Sequence, residues 1–383
     1  MKTLIEIFDE RPIENVLAAE VFKPETVVYL CPAEVAQNKT YQNVISGFLQ
    51  GRGAGCSCVF FESSLLNASK IEKQLRSIIE KYEDCVIDIT GGSDAALFAA
   101  GVVCAERSVP VFTYSRKKGR FFNIVGAPFA ENLPCTIQYT VKDFFQMAGG
   151  SLHQGRVDNA ILGKYLGIID PFFKAYLNNR RNWVSVVNYI QQVSQKSVCL
   201  DIEAPYEVKC SRGKTVRADE KALLSLQDAG LISGLKIQKG ERVSFSFCDE
   251  QIRTWLRDTG AVLELYTYKQ CLDCGVFNDV VTSAVVDWGG NSSDCVMNEI
   301  DVIAVRGTVP LFISCKVCEA DTDALNELSI LRSRFGGNGA GAMLITTKTC
   351  RNITKNRAAK LGITIVDIDD IIFNRLQGIL RGE

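Results

Sequence analysis

The sequence predicts an α/β protein organised in three units, and three observations lead to this fold class. Residues 1–145 repeat a β-α pattern with apolar strands. Residues 146–245 end in a helix, a glycine stop and a hairpin, and residues 246–383 return to an α/β pattern with antiparallel strands at its centre. A length of 383 residues exceeds what one ordinary hydrophobic core holds and suits two or three domains.

The N-terminal unit is expected to contain a Rossmann-like, doubly wound parallel sheet. Its strands are apolar along their whole length, which is typical of sheets that helices cover on both faces. Predicted strands lie at 4–9, 27–31, 56–61 and 85–89, and a hairpin of strands 109–114 and 121–125 follows. Predicted helices lie at 12–21, 41–50, 67–82 and 94–107, with Pro12 opening the first and Asn67 capping the third.

The middle unit has the outline of a winged helix. Residues 160–192 are helical and aromatic, and residues 221–232 carry leucines at helical spacing before a stop at Gly230. Strands at 234–238 and 242–247 follow. The C-terminal unit is predicted as helix 250–269, strands 280–288, 299–306 and 311–317, helix 323–335, strand 342–346, helix 353–361 and strand 363–366.

Composition narrows the classes of function. A formal net charge of −1 and a pI of about 6.1 do not match a protein that binds duplex DNA constitutively through a basic surplus. No apolar run approaches the roughly 18 residues of a membrane span, and no secretion signal is recognisable. Fifteen cysteines without such a signal predict reduced thiols and a cytoplasmic protein. His153 is the only histidine, which excludes histidine-based triads.

Two neighbouring strands of the C-terminal unit carry charged residues among apolar ones. Asp301 lies in the first strand, and Ser314 and Lys316 share one face of the next because side chains alternate. A carboxylate and a lysine in such strands are costly to bury unless they pair or bind a metal ion. Oxygen ligands suit Mg²⁺ or Mn²⁺, and a nearby lysine helps to activate water or to stabilise charge on phosphate. A structural Asp–Lys ion pair is the alternative.

Glu264 is a further candidate because it lies in a mostly apolar helical run, although a solvated helix residue would look the same. Gly-x-x-x-Glu on a helix, Asp301 on a strand and Ser314-Cys315-Lys316 on the next resemble the core of PD-(D/E)xK nucleases. The resemblance implies that Asp301 and Glu264 bind the metal and that Lys316 is the catalytic lysine. Ser314 completes this catalytic set, at the position of the second carboxylate.

Ser314 departs from the family pattern, since a serine hydroxyl is a weak metal ligand. Asp301, Glu264, a backbone carbonyl and waters hold the metal in one alternative. In another, Glu299 or Glu327 replaces the missing carboxylate. A third alternative is an impaired nuclease that senses its ligand without cutting.

A second candidate site lies at the carboxyl edge of the N-terminal sheet, where open α/β sheets bind ligands. Residues 88–93 follow a buried strand and open a helix, and the small residues there let backbone N–H groups approach a phosphate. Residues 9–15 close the first strand in the same way.

These turns, together with Arg334-Phe335-Gly336-Gly337 and Arg357, resemble CRISPR-associated nucleases that carry a CARF sensor domain, over nearly the whole chain. The resemblance implies a homodimer that binds a cyclic oligoadenylate, cyclic tetra-adenylate, across its two-fold axis. The implied ligand contacts are Asp9, Glu10, Arg11, Thr90, Gly91, Gly92, Ser93, Ser115 and Arg116. The hairpin residues 117–120 would add positive charge for the phosphates.

The resulting interpretation is a CARF domain at 1–145, a winged-helix-like linker domain at 146–245 and a PD-(D/E)xK nuclease domain at 246–383. The activated enzyme would cut single-stranded DNA or RNA, or nick duplex DNA, with Mn²⁺ or Mg²⁺. The ligand must contact the open and the cleavage-competent states differently to activate it.

Three alternatives remain open. A ligand-controlled transcription regulator would read DNA with its winged helix, but the helix at 221–232 offers few cations. Slow cleavage of the ligand by the CARF domain would need a general base, and none is evident. Cys271, Cys274, Cys315 and Cys318 form two C-x-x-C pairs that suggest zinc, although Cys315 is expected to face the core.

Overall fold

The computed structural model describes residues 1–148, 150–155, 157, 159–195, 197–209, 215–287, 297–336 and 339–383. Four sheets of seven, two, three and six strands are found among these residues. No helix in this described part of the chain is long and apolar enough to cross a membrane.

The seven-stranded sheet forms the N-terminal unit, in the order β3-β2-β1-β4-β5-β6-β7. Its first five strands are parallel, and β6 and β7 extend it in antiparallel fashion. The strands are β1 Thr3–Ile7, β2 Thr26–Cys31, β3 Ser57–Glu62, β4 Cys85–Asp88, β5 Val111–Ser115, β6 Arg120–Val125 and β7 Leu133–Pro134. The helices are α1 Leu17–Phe22, α2 Ala33–Ala36, α3 Lys39–Gly51, α4 Ala68–Lys81, α5 Asp94–Arg107 and α6 Val141–Met147.

The predicted helix at 12–21 is two shorter elements, a 3-10 turn at Pro12–Asn15 and then α1. The Asn15 side chain accepts a hydrogen bond from the Asp9 N–H and donates to the Asp9 carbonyl, each at 2.8 Å. These bonds tie the turn to the end of β1 and keep it from merging with the helix. The Asn67 side chain caps α4 as predicted, by accepting from the Lys70 N–H.

The middle of the chain contains three longer helices and a three-stranded sheet in the order β12-β13-β9. The helices are α7 Leu166–Asn179, α8 Trp183–Ser194 and α9 Glu220–Asp228. The strands are β9 Asp201–Pro205, β10 Glu207–Lys209, β11 Thr215–Arg217, β12 Ile232–Gln238 and β13 Arg242–Phe247. A helix, a left-handed Gly230 and the β12–β13 hairpin follow one another as the sequence predicts. Strand β8 (Ser151–Gln154), just past residue 145, pairs instead with the C-terminal sheet.

The C-terminal unit is built on a six-stranded sheet in the order β18-β17-β16-β15-β14-β8. Strands β14, β15 and β16 are antiparallel neighbours, whereas β16, β17 and β18 run parallel. The strands are β14 Asp279–Asp287, β15 Met297–Arg306, β16 Val309–Lys316, β17 Gly341–Thr346 and β18 Thr364–Val366. The helices are α10 Glu250–Leu256, α11 Ala261–Asp273, α12 Thr322–Gly336, α13 Asn352–Lys360, α14 Ile368–Ile372 and α15 Leu376–Arg381.

One predicted element of this unit is wrong, and another extends beyond the described residues. The helix predicted at 250–269 is wrong as one element, because α10 ends at Leu256 and α11 begins at Ala261. The Asp258 carboxylate accepts from the Gly260 N–H at 2.8 Å and closes the turn between them. The strand predicted at 280–288 corresponds to β14, and Trp288 lies outside the described residues.

The C-terminal sheet is buried on both faces, each in a different core. Ile313 and Cys315 of β16 belong to a cluster shared with the middle unit. Phe312, the neighbour of Ile313, belongs to a cluster shared with the N-terminal unit. Polar contacts reinforce the second interface, among them a 2.8 Å hydrogen bond between the Tyr114 and Thr308 hydroxyls. The three units therefore form one continuous body around β16.

We predict that Phe312→Ala destabilises the protein by about 3–5 kcal/mol, because Phe312 is fully buried and alanine leaves a cavity. Urea unfolding followed by tryptophan fluorescence measures the change. Ile353→Ala, at a side chain that is 73% exposed, serves as the control and should change the free energy of unfolding by less than about 0.5 kcal/mol. Equal effects of the two substitutions would contradict a core shared at β16.

Candidate active site and ligand cavity

Strands β15 and β16 separate where the predicted catalytic residues lie. Among the described residues, their pairing ends at Val302 and Ile313. Beyond this point β15 continues to pair with β14, and β16 continues to pair with β17. The sheet therefore opens into a fork at Asp301 and Ser314.

The Asp301 carboxylate fills this fork. Its Oδ2 accepts hydrogen bonds from the Cys315 backbone N–H at 2.6 Å and from the Ser314 hydroxyl at 3.3 Å. The backbone carbonyl of Asp301 accepts from the Thr282 hydroxyl at 2.8 Å. The carboxylate thus accepts the hydrogen bond from a backbone N–H of β16 that would otherwise bond to the neighbouring strand. Hydrogen bonds from β16 to the Asp301 carboxylate and from Thr282 of β14 to the Asp301 carbonyl thus fix the position of Asp301.

Burial raises the pKa of the Asp301 carboxyl above its usual value. The Cys315 N–H, the charge of Lys316 and the Ser314 hydroxyl lower this pKa, whereas the Glu299 carboxylate raises it. The net direction is upward, so the pocket would favour a cation that stabilises the ionised form of Asp301.

A pocket of about 60 Å³ opens beside the fork. Glu299 and Asp301 from β15, Ser314 and Lys316 from β16, and Glu327 from α12 line it together with apolar side chains. The Ser283 hydroxyl donates to the Glu299 carboxylate at 2.7 Å and fixes its position. The structure therefore brings together Asp301, Ser314 and Lys316, and adds both glutamates considered as replacements for the missing carboxylate.

Glu264 lies elsewhere, in the first turn of α11, and is not among the described residues that line this pocket. Helix α11 packs on the side of β16 where the Cys315 thiol meets the Thr267 hydroxyl at 3.4 Å. Burial raises the pKa of the Cys315 thiol, and the charges of Asp301 and Glu264 raise it further. Both carboxylates thus lie near Cys315, and the role of Glu264 as a metal ligand stays a prediction.

The cysteines of the two C-x-x-C pairs differ in exposure. Cys271, Cys274 and Cys315 are buried, whereas Cys318 is exposed. Within the described ranges, no group of three or more His, Cys, Asp or Glu side chains is arranged as a metal site.

A second, larger cavity of about 940 Å³ lies between the carboxyl edge of the N-terminal sheet and the end of α12. Predicted ligand contacts that line it are Asp9, Glu10, Arg11, Gly92, Ser93 and Arg116. The C-terminal unit contributes residues 333–336, the last turn of α12. The cavity is therefore shared by the two units.

Asp9 and Arg11 form an ion pair on one side of this cavity. The Arg11 guanidinium donates to both Asp9 carboxylate oxygens, at 2.7 and 2.8 Å, and the Gly92 N–H donates to Asp9 Oδ2 at 3.0 Å. Burial raises the pKa of Asp9, but the hydrogen bonds from Arg11 and Gly92 outweigh it and the pKa is lowered overall. The Asp9 carboxylate, itself a planar anion, is thus bound by the Arg11 guanidinium and a backbone N–H.

Thr90, Gly91 and Ser115 are not among the described residues that line the cavity. The Thr90 hydroxyl donates to Asp88 and accepts from the Tyr114 N–H, so it stabilises the turn. A Cβ at Gly91 would lie 2.5 Å from the Asp9 Cβ, so only glycine allows this close approach. The Ser93 hydroxyl accepts from the Ala96 N–H and caps α5.

Three buried carboxyl groups lie beneath the cavity. Glu6 and Asp88 are direct neighbours on parallel strands β1 and β4, and Glu14 follows in the 3-10 turn. Burial and, to a smaller extent, the charge of Glu14 raise the pKa of Asp88 to about 7, against the opposing hydrogen bonds from Thr90. Burial also raises the pKa of Glu6 and of Glu14.

Arg116 connects these acids to the C-terminal unit. Its guanidinium lies 2.8 Å from the Glu14 carboxylate and donates to the Gly336 carbonyl at 2.8 Å. Gly336 ends α12, so the positive charge also favours the negative end of the helix dipole. A Cβ at Gly339 would collide with the Arg116 side chain. Gly337 and Asn338 of this glycine-rich segment lie outside the described residues.

The sequence model of the Card1-like endonuclease domain matches residues 248–382. This part of the chain is similar to Card1-like endonuclease domains, and we call it the Card1-like domain. The Card1-like domain thus contains the fork, the small pocket and α12. None of the curated proteins matches the chain in sequence.

Solved structures resemble the whole chain. Protein VC1899 from Vibrio cholerae is 20% identical with a TM-score of 0.75, covering 99% of this chain and 96% of that one. Can2 from Sulfobacillus thermosulfidooxidans, solved with cyclic tetra-adenylate, is 16% identical with a TM-score of 0.73, covering 99% of both chains. A type III CRISPR defence DNA nuclease activated by cyclic oligoadenylate is 11% identical with a TM-score of 0.50, covering 91% of this chain and 46% of that one.

These likenesses confirm the predicted α/β fold class. The division into a Rossmann-like, a winged-helix-like and a nuclease unit at residues 145 and 245 stays a prediction. The expected likeness to CRISPR-associated CARF nucleases is confirmed for the Card1-like domain by its sequence and for the whole chain by its fold.

The sequence did not reveal two features of these sites. Glu14 lies in a stretch that looks like an ordinary helix, and nothing in its spacing indicates a buried partner for Arg116. The sequence marks Arg334 only as part of a family pattern, and the structure places it in the lining of the large cavity. Both contacts join segments that are far apart in the chain.

We predict that the protein loses stability as the pH rises from about 4 to about 7, because the folded state keeps a proton on Asp88 that the unfolded chain releases near its ordinary value. Asp88→Asn removes one of these groups and should flatten the slope. Melting temperatures between about pH 4 and about pH 7 test this, with Asp94→Asn at an exposed site as control. A wild-type stability that rises across this range would contradict the prediction.

Proposed function

We propose that the protein is an endonuclease activated by a cyclic oligoadenylate, cyclic tetra-adenylate, in type III CRISPR defence. The N-terminal unit is the CARF domain that binds the nucleotide, and the Card1-like domain cuts single-stranded DNA or RNA, or nicks duplex DNA. The observation that carries the proposal is α12, which lines the small pocket with its middle and the large cavity with its last turn.

Asp301 with one further carboxylate and waters would suit a divalent metal ion. Asp301, Glu299 and Glu327 offer carboxylate oxygens, which Mg²⁺ and Mn²⁺ prefer, and the raised pKa of Asp301 means that a cation would stabilise its ionised form. Asp301 would hold the ion directly, with a glutamate from the pocket, or Glu264, and waters completing the set. A bound metal supplies Lewis acidity and lowers the pKa of water.

The residues of the chain itself supply orientation and charge. Lys316 extends from the strand next to Asp301 and would stabilise the negative charge that develops on a phosphate. The Ser314 hydroxyl donates to Asp301 and thus orients the carboxylate. This role differs from that of a second carboxylate ligand, and it leaves Glu299 and Glu327 to provide the further oxygen. The fork positions Asp301, Ser314 and Lys316 together before substrate binds.

The large cavity suits a phosphate-containing ring. Gly92 and Ser93 lie at the N-terminus of α5, which favours anions, and Arg11 already holds the carboxylate of Asp9 in a bidentate manner. A phosphate would compete with Asp9 for Arg11 and for the Gly92 N–H. Arg334 adds an exposed positive charge from α12. Ligand binding would therefore rearrange contacts on both sides of the cavity.

We also propose that two copies form the active enzyme and share the ligand. Leu66, at the rim of the cavity, is 85% exposed, and Phe98 on α5 is 66% exposed. Apolar side chains at such a place suit burial against a second copy. Sedimentation with and without ligand, and a binding stoichiometry of one ring per two chains, test this arrangement. The thirteen free cysteines within the described residues suit a cytoplasmic location.

Lys316→Ala and Asp301→Asn should each lower cutting by about 100-fold or more while the affinity for cyclic tetra-adenylate stays unchanged. The assay uses labelled single-stranded DNA and RNA and supercoiled plasmid, with Mn²⁺ or Mg²⁺, with and without the nucleotide. Lys360→Ala on α13 removes an exposed charge from the same domain and should cut normally. A wild-type protein that binds the nucleotide but never cuts would instead be an impaired nuclease.

Arg116→Gln should reduce activation at saturating nucleotide by about tenfold or more, because it breaks the link between Glu14 and the end of α12. Saturation separates this effect from weaker binding, since a pure binding defect disappears at high ligand concentration. The ratio of cutting rates with and without nucleotide is the readout. Full activation of Arg116→Gln at saturation would show that α12 is controlled by other contacts.

A further inference from the structure

A third cavity, of about 590 Å³, lies between the middle unit and the Card1-like domain. The middle unit contributes the turn between α7 and α8, with Arg180 and Arg181. The Card1-like domain contributes the segment after β16 and the segment after β17, with Lys348 and Arg351. We call this cavity the basic cleft, because four cations and one carboxylate, Glu319, line it.

Three of these four cations are available for a ligand. Arg180, Arg181 and Lys348 are exposed, and none of the ion pairs among the described residues involves them. Arg351 pairs with Glu319 at 2.6 Å, which neutralises the one carboxylate of the cleft. Exposed like charges that converge without counter-charges repel one another, so an anion bound between them is favoured.

The basic cleft begins where the catalytic strand ends. Lys316 is the last residue of β16, and Val317 and Cys318 directly after it line the cleft. On the neighbouring strand, Thr346 is in register with Lys316, and Lys348 follows two residues later. The Lys348 N–H donates to the Thr346 hydroxyl at 3.2 Å, so the chain turns at the end of β17 and Lys348 stays near the end of the strand.

We propose that the basic cleft holds the phosphate backbone of the nucleic-acid substrate and leads it past the carboxyl end of β16 to Asp301 and to Lys316, whose side chain is on the other face of the sheet. This inference rests on the proposed nuclease function and assigns the substrate path. The aromatic side chains of the cleft, Tyr176 and Trp183, are each only 2% exposed and therefore cannot stack on bases. Recognition through phosphates alone makes binding independent of base sequence and strongly dependent on salt.

Residues of two units line the basic cleft. Arg180 and Arg181 belong to the middle unit, whereas the catalytic residues belong to the Card1-like domain. A strand bound in the cleft would therefore contact both. This gives the middle unit a function in substrate binding that needs no recognition helix in a DNA groove.

The test uses Arg180→Ala/Arg181→Ala in the full-length chain, with the nucleotide at saturation. The matched control is Lys236→Ala/Lys239→Ala, which removes two exposed charges from the β12–β13 hairpin of the same unit. Binding of labelled single-stranded DNA and RNA is measured by fluorescence anisotropy in the Lys316→Ala background. The KM and kcat for cutting are measured in the otherwise wild-type chain.

The cleft variant should bind both strands about tenfold more weakly, and its slope of log affinity against log salt should fall by about 1.4, or about 0.7 for each lost phosphate contact. Its KM should rise by the same factor while kcat changes little. Arg180→Lys/Arg181→Lys should recover most of the affinity because the charges return. The hairpin control should bind and cut like wild type.

Other outcomes overturn the inference. Unchanged KM and salt slope in the cleft variant, with normal cutting, would refute the substrate path and leave the proposed nuclease function standing. Weaker binding in the hairpin variant alone would assign the nucleic-acid contact to the wing instead. No cutting by the wild type under any condition would refute the proposed function itself. Cyclic tetra-adenylate affinity, unchanged in every variant, shows that the chains are folded.

Discussion

The C-terminal sheet must bury both faces, and the rest of the molecule is arranged around this requirement. Phe312 points into the core shared with the N-terminal unit, whereas Ile313 and Cys315 point into the core shared with the middle unit. Neither neighbour can separate from β16 without exposing apolar surface. Rearrangements within the chain are therefore restricted to places where packing is interrupted. The fork at Asp301 and the three cavities are such places.

The fork shows how a buried carboxylate is placed at low conformational cost. A buried carboxylate normally requires partners, and here the backbone N–H of Cys315 and the Ser314 hydroxyl provide them. The short aspartate side chain has few rotamers to lose. Because the main contact is to backbone, the position of Asp301 depends little on the identity of residue 314. This explains how serine can occupy a place where the family pattern has a carboxylate.

Much of the fold was predictable because local patterns dominate it. Apolar strands, the Asn67 cap and the stop at Gly230 are all visible in the sequence and all occur in the structure. The single helix predicted at 250–269 was wrong because the Asp258–Gly260 turn has too weak a signal within an otherwise helical pattern. Of the candidate sites, Asp301, Ser314 and Lys316 could be found since they share two adjacent strands. The contact of Arg116 with Glu14 and Gly336 could not, because it depends on how distant segments pack.

Helix α12 has one further consequence. Glu327 at the small pocket and Arg334 at the large cavity are seven residues apart, which is about two turns and about 10.5 Å along the axis. The two side chains therefore leave the helix in nearly the same direction. A rotation of α12 about its own axis would swing both together, whereas one inserted residue between them would turn one by about 100° relative to the other. The two sites are thus matched in helical phase, and the spacing between them matters as much as the residues themselves.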